Sequence, residues 1–306
     1  MTDKQKWGVI INPIAGDGFA QGYVEEVKKQ IDKRKLAADF VFTEKRGHAR
    51  ELATKLAADG CSHIIAVGGD GTISEAANGV IGLDRIVFGA IPAGTGNDFI
   101  QILGFGDRFT DDDWNVFFSQ QSIQMDVGMC NSHSFLNGMG LGFDAQVASE
   151  NYTEDAEVKS GGATKYLWQI LKTLLIYKEH FMHIESEGKV IESKCFMNTV
   201  AIGRRFAGSY FITPRAVAND GLLDVCMVDA LSLLRRINTF LKVPKGNHLE
   251  NKEVHYYQTD KLSIQFDTVV PYHLDGELYF SQEFDISILP RKLRILYNPK
   301  GNHFFT

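Results

Sequence analysis

Within its first 98 residues the chain three times runs an apolar stretch into a glycine-rich turn and on into a helix-like segment, a pattern few architectures accommodate. The sharpest instance is His63 to Val67, followed by GGDGT at 68–72 and a segment reaching Asn78. The others are Trp7 to Asn12 running into Pro13 to Gly18, and Val87 to Ile91 running into Pro92 to Asp98. Glycine permits positive φ and close backbone approach, while the unpaired N–H groups and dipole of a following helix attract an anion. In an α/β sheet all three turns would lie beyond the carboxyl ends of parallel strands, where such folds bind ligands. The plain alternative for any one of them is a tight strand-to-helix turn. Asp70 stands out, because a carboxylate beside phosphate oxygens needs a bridging divalent cation or a ligand hydroxyl.

Residues 1 to about 105 alternate regularly. Strands are expected at 7–12, 39–43, 63–67 and 86–91, with helices at 19–34, 48–58 and 72–81 between them, so this part reads as a parallel sheet with helices on both faces. Asp111 to Asp113 open a short amphipathic segment, and the style changes near Asp126. Beyond it, 134–139, 194–202, 222–228, 261–266 and 284–289 read as strands, several alternating apolar and polar as an antiparallel sheet with one wet face would. Helices are expected at 163–178 and 231–241. The first has a narrow polar stripe, Lys165, Gln169, Lys172 and Thr173, and its wide apolar remainder suits core packing, acyl chains or a membrane surface.

At 306 residues the chain suits about two domains. Its 32 basic and 38 acidic residues leave a net charge of −6, which argues against a nucleic-acid partner and against a strong electrostatic membrane anchor. No apolar run reaches spanning length and the opening residues lack a signal-peptide core, so a cytoplasmic location is expected. Cys61, Cys130, Cys195 and Cys226 form no CxxC pair and read as reduced, packed thiols. There is no HExxH, and His180 and His183 read as a structural, helix-spaced pair.

Six motifs stand in a characteristic order: NPIAGDG at 12–18, GGDGT at 68–72, GTGNDF at 94–99, NGMGLGFDA at 137–145, NDGLLD at 219–224 and LDGE at 274–277. In them the chain resembles the diacylglycerol kinase catalytic family, in particular its bacterial soluble lipid kinases, which are also similar to sphingosine kinases. The resemblance implies a nucleotide-binding α/β domain like that of NAD kinases and phosphofructokinases at 1–126, to which a tail at 291–306 returns, then a β-sandwich lipid-substrate domain at 127–290. It implies nucleotide contacts at Asn12, Pro13, Ile14, Ala15, Gly16 and Thr43, and phosphate-binding positions at Gly69, Asp70, Gly71, Thr72, Ile73, Ser74, Glu75 and Thr95. It places Glu277 as proton acceptor with Asp275 beside it, and a structural magnesium on the Asp220 side chain and the Val217 and Leu222 carbonyls. The implied setting is lipid metabolism and phospholipid biosynthesis, with ATP as donor and transient membrane contact.

Elementary chemistry is compatible with that reading. Phosphoryl transfer to an alcohol needs a positioned γ-phosphate, metal to neutralise charge, and a carboxylate at the hydroxyl. The chain lacks GxxxxGK[ST], so backbone amides and Mg²⁺ must do what a P-loop lysine does elsewhere. Spacing leaves open whether Asp275 or Glu277 is the base, since Gly276 between them allows a turn, and Asp-Gly is also an ordinary hairpin signature. Asn219 to Gly221 is a hairpin signature too, and one carboxylate makes a poor metal site from side chains alone; Asp224 reads as capping or pairing locally. An NAD kinase-like enzyme and a non-catalytic nucleotide or lipid sensor are the rival readings. Lipid acceptor, nucleotide preference and oligomeric state, a homodimer included, stay open.

Overall fold

The computed structural model describes residues 5–16, 18–150 and 163–306, without the side chains of 163–167; Asp17 of the first glycine loop and Lys165 of the polar stripe therefore lie outside the described side chains. The chain divides into two compact units. One comprises residues 1–127, 217–220 and 289–306, the other residues 128–216 and 221–288.

In the first unit, strand β1 (Lys6–Ile11) leads through the first glycine loop into α1 (Phe19–Lys33), followed by β2 (Ala37–Phe42), α2 (His48–Ala58), β3 (His63–Gly68), α3 (Asp70–Asn78), β4 (Val87–Pro92), α4 (Asp98–Ile102) and α5 (Asp111–Phe117). Strand β1 pairs in parallel with both β2 and β3, and β3 in parallel with β4. β3 and β4 are buried along their whole lengths, which explains their continuous apolar composition. α5 starts with a capping box, in which the Thr110 hydroxyl accepts from the Asp113 amide and the Asp113 carboxylate accepts from the Thr110 amide. This turns Trp114 and Phe117 into an aromatic cluster with Phe105 and Phe109.

The second unit is built from β5 (Ser122–Cys130), which enters it from the first, then β6 (His133–Phe135), β7 (Gly138–Gly142), α6 (Phe143–Glu150), α7 (Ala163–Ile176), β8 (His180–Ser186), β9 (Lys189–Ala201), β10 (Leu223–Asp229), α8 (Leu233–Lys242), β11 (Val254–Thr259), β12 (Lys261–Leu274) and β13 (Glu277–Leu296). Its pairings are antiparallel. β9 and β12 are long, and each is shared: both pair with β8 near their starts and with β7 near their ends. Such strands pass from one layer to another by bending, and the register of β12 against β13 shifts between Gln265 and Val270. The core between the layers gathers Phe143, Ile170, Leu174, Tyr177, Phe196 and Val228.

Two expectations change here. His180 and His183 lie on strand β8, where residues three apart point to opposite faces, so they are no helical pair; His183 instead reaches Glu192 across the β8–β9 hairpin at 3.0 Å. Thr173 leaves the polar stripe of α7, being fully buried with its hydroxyl 3.3 Å from Glu150. The four cysteines are buried and unpaired.

At the start of β3, His63 is buried and stacked on Trp7 with ring centroids 4.3 Å apart. Burial, with help from Arg294, pushes its imidazole down from 6.5 to about 4. The unfolded chain then takes up a proton that the folded chain refuses, so this contribution is complete above about pH 6.5 and is lost as pH falls towards 4. Denaturant unfolding at about pH 7 and pH 5 should show a loss attributable to His63 of ~2 kcal/mol, and His63→Phe, which keeps the stack, should remove that part of the slope.

Candidate active site

In the first unit the three glycine loops interlock atom against atom. A Cβ on Gly94 would stand 2.4 Å from the Cα of Gly69, and one on Gly16, already at φ +61°, would stand 2.4 Å from the Ala93 carbonyl oxygen. Each loop also hands hydrogen bonds to the next. The Asn12 side-chain amide donates to the Thr72 hydroxyl at 3.0 Å, and the Asn12 oxygen accepts from the Ile14 amide at 3.3 Å. The Ala93 amide donates to Gly68 O at 2.8 Å, and the Thr43 amide to Ile11 O at 2.9 Å.

Asp70 is the first residue of α3 and is half-buried, not a carboxylate on an exposed loop. Its two oxygens accept from the Asp98 and Phe99 amides, at 3.1 and 3.0 Å, and so cap α4 from a different loop. Glu75 does the same elsewhere: it accepts from the Gly47 and Ala49 amides, at 2.8 and 3.3 Å, at the start of α2. Both acids of the phosphate-loop motif thus brace neighbouring helix ends. The first bond inside α3 runs from the Ile73 amide to Gly69 O, so the amides before it have no partner within the helix. The positive end of the α3 dipole therefore falls between Gly69 and Thr72. Ile73 is buried and serves packing, whereas Ile14 and Thr95 are exposed and Pro13, Ala15, Gly71 and Ser74 are half-exposed.

Two contributors were assigned no role from the sequence, Asn97 within the third motif and Arg108 outside all six. Asn97, at positive φ and buried, locks the third loop by accepting from the Gly94 amide and donating to the Gly94 carbonyl, each at 3.0 Å. Arg108 donates through both terminal nitrogens to that same carbonyl at 3.1 Å and lies over the Phe19 ring at 4.1 Å. It places a fixed positive charge on the third loop. The sequence offers no periodicity around Arg108 that could have marked it.

In the second unit, Asp275 and Gly276 both have positive φ and form the two-residue turn between β12 and β13, with Leu274 opposite Glu277. The Asp275 carboxylate is not a solvated turn acid. It accepts from the Leu136, Asn137 and Gly138 amides at 2.7, 2.8 and 3.0 Å. These amides run from the gap after β6 to the first residue of β7, and a strand expected over 134–139 is broken there. Glu277, half-buried at the head of β13, accepts from the Tyr279 hydroxyl at 3.2 Å. Below this turn Gly140 leaves room for Asp144 and His273, whose Nε2 lies 3.5 Å from Asp144 Oδ2; a Cβ on Gly140 would meet both within 2.3 Å. The NGMGLGFDA motif is thereby accounted for as amides for Asp275, space for Asp144, and a positive-φ corner at Gly142 leading into α6.

Of the segment carrying NDGLLD, Val217 and Asp220 belong to the first unit, with Asn219 paired to residue 306, while Leu222 belongs to the second. Asp224 is fully buried and accepts from the Tyr256 hydroxyl at 2.6 Å and from Gln258 at 3.3 Å. Among the described residues no three His, Cys, Asp or Glu side chains gather as a metal cluster. What 217–222 offers is one carboxylate and main-chain carbonyls, an oxygen-only set of the kind Mg²⁺ takes with water completing its shell.

The diacylglycerol kinase catalytic domain family matches residues 6–130, and the YegS C-terminal NAD kinase beta sandwich-like domain family matches residues 137–297. A diacylglycerol kinase of Bacillus subtilis (strain 168) is 25% identical over 271 residues, 88% of either chain. One from Staphylococcus saprophyticus is 26% identical over 271 residues, again 88% of either chain. A crystal structure of a diacylglycerol kinase from Bacillus anthracis str. Sterne shares the fold, with a TM-score of 0.75, 20% identity and 98% of each chain covered. The chain belongs to the diacylglycerol kinase catalytic family, with the YegS-type C-terminal domain, and it is a kinase, a phosphotransferase.

Two outcomes follow from the geometry. Gly94→Ala drives a methyl into the Gly69 backbone and should lower the thermal midpoint by the equivalent of ~1–3 kcal/mol, as overpacked sites do. Asp275→Ala strips an ionised acceptor from three amides and should cost at least ~2–3 kcal/mol in denaturant unfolding, with Asp275→Asn intermediate because it keeps one acceptor oxygen.

Proposed function

We propose that the chain is an ATP- and magnesium-dependent lipid kinase that transfers the γ-phosphoryl group to a hydroxyl of diacylglycerol or a related lipid. The observation that carries this reading is a division of labour between the two acids of the LDGE motif. Asp275 accepts from three amides and builds the turn, while Glu277, half-buried at the head of β13, accepts from the Tyr279 hydroxyl. Glu277 is therefore the residue assigned to take the acceptor's proton, and Asp275 the residue that positions it.

The nucleotide is assigned to the first unit. Its phosphates would lie on the Gly69 to Thr72 turn, where helix-end amides supply the positive potential that a P-loop lysine gives elsewhere, and Asn12 to Gly16, Thr43, Thr95 and Arg108 would line the remainder. Asp70 acts in this reading by holding the second and third loops in register. Bound magnesium would neutralise charge on the transferring group, and Asp220 with the Val217 and Leu222 carbonyls is the donor set assigned to a structural ion. The second unit is assigned to the lipid, which the names of the family's members favour over NAD as acceptor.

The deciding experiment supplies γ-labelled ATP and Mg²⁺ with a panel of lipid alcohols in mixed micelles, and NAD in parallel. Label in diacylglycerol or a related lipid is expected; label in NAD alone would overturn the assignment. Glu277→Gln should lower kcat by ~10²–10⁴-fold at an unchanged thermal midpoint, the usual contribution of a general base. Loss of stability in that variant, with kcat retained in its folded fraction, would make Glu277 structural.

A further inference from the structure

The parallel sheet of the first unit has two ends. The cradle of the three glycine loops stands at one, and at the other, where β1, β3 and β4 begin, a polar pocket of about 210 Å³ opens. Sheet register builds its floor. His63 lies opposite Val87, and the parallel pairing of Ile295 with Phe88 brings Arg294 beside Val87. Ser62 and Arg85, just before β3 and β4, and Gln5 and Gln120 complete the wall. All of these residues belong to the first unit.

Every polar side chain on the wall can donate a hydrogen bond, and no carboxylate lines it. The arginines matter most. Arg294 is held by the Ser122 hydroxyl, which accepts from its Nε at 3.1 Å, and Arg85 by the Ala57 carbonyl, which accepts from its Nη2 at 2.9 Å. Both anchors are neutral. Among the described residues neither guanidinium enters an ion pair, so each keeps its whole charge and most of its five N–H donors. An arginine spent on a carboxylate holds structure, whereas one fixed by neutral groups with donors to spare is set for the oxygens of an anion. The Gln5 and Gln120 amides bond each other reciprocally at 3.0 and 3.1 Å, which leaves each a second N–H. Ser62 Oγ lies 3.0 Å from His63 Nδ1, and Nε2 of that ring has no protein partner among the described residues.

Charge and size select the occupant. Burial and then Arg294 hold the His63 imidazole neutral, and no carboxylate opposes them. The pocket is thus positive in a chain whose net charge is −6, and a concavity lined by one sign of charge gathers the opposite ion. At about 210 Å³ it is smaller than the ~300 Å³ at which pockets begin to hold drug-sized ligands, so a compact oxyanion fits and a nucleotide does not. Two guanidinium forks from different elements, with amide and hydroxyl donors beside them, suit a tetrahedral ion whose oxygens point in several directions better than a planar carboxylate.

We propose that this pocket is a binding site for a phosphate-class oxyanion, inorganic phosphate or pyrophosphate, held by Arg85 and Arg294 with Ser62, His63 and Gln120 completing the donor set. It is a different site from the one assigned to the nucleotide: the six residues of β3, at ~3.3 Å each, put about 20 Å between it and the Gly69 turn. The inference does not rest on the lipid-kinase reading.

The test follows His63 in the full chain. With histidine labelled at Cε1 with carbon-13, near neutral pH and at an ionic strength held constant with chloride, sodium phosphate or pyrophosphate should move the His63 signal saturably. That signal is identified by its loss in His63→Phe. Half-saturation is expected at about 1 mM or below, as two charge-assisted forks would give. Arg85→Gln and Arg294→Gln should each weaken binding at least ~tenfold, and the double variant should show no saturation, with circular dichroism unchanged. Arg294→Lys keeps the charge but not the fork and should fall between wild type and Arg294→Gln. Should a glutamine variant misfold, its lysine counterpart makes the same test. No saturable movement of the His63 signal, equal affinity in a folded double variant, or tighter binding of malonate than of phosphate would overturn the proposal. So would movement confined to other histidines, since the anion would then lie elsewhere. None of these outcomes depends on phosphorylation of a lipid, so the two readings stand or fall separately.

Discussion

Backbone lies directly against backbone where Gly69 meets Gly94, and the cradle depends on that contact. With no side chain between them, the loops after β3 and β4 sit close enough for Asp70 to reach the α4 amides and for Ala93 to donate to Gly68. Gly16 repeats the device one loop further on, against the Ala93 carbonyl. Glycine in phosphate loops is commonly explained by room for the ligand. In this chain the glycines at 16, 69 and 94 are required first by one another, and any ligand meets a surface that has already been made rigid.

The same economy governs the acids. Asp70, Glu75 and Asp275 each present both oxygens to main-chain amides of a segment distant in sequence: to 98 and 99, to 47 and 49, and to 136 through 138. A carboxylate engaged in this way joins two chain segments and fixes helix ends or strand breaks that local sequence leaves undetermined. Acids within motifs are easily read as chemistry. Here Asp70, Glu75 and Asp275 hold the frame in which Glu277 is proposed to act.

What was legible in the sequence follows from these contacts. The first three strand–loop–helix units are readable because buried parallel strands are continuously apolar and bounded by glycine, so β1, β3 and β4 fall within a residue or two of their expected limits. Helix α3 begins at Asp70, before the expected Thr72, since its cap is Gly69 in extended conformation and no capping side chain advertises the start. α6 went unread because it follows a glycine corner and its amphipathic pattern is weak. Strand β8 hid the true setting of His180 and His183: spacing by three means one thing at period 3.6 and the opposite at period 2. The motifs located the candidate site residues, but the partners of Asp70 lie nearly thirty residues away and those of Asp275 nearly a hundred and forty, and no local pattern encodes either pairing.

The chain crosses between its two units four times, at 127/128, 216/217, 220/221 and 288/289, and residues 289–306 belong with residues 1–127. Ile295 of β13 pairs beside Phe88 of β4, the Asn298 amide donates to Leu103 O, and the Ala218 amide to Phe304 O. During synthesis the ribosome therefore finishes the α/β segment long before that segment can finish folding. Until residue 295 has emerged, β4, apolar on both faces, presents an open edge of the kind to which other chains attach. The unit made first is completed last, and for most of translation its survival depends on whatever shelters that edge.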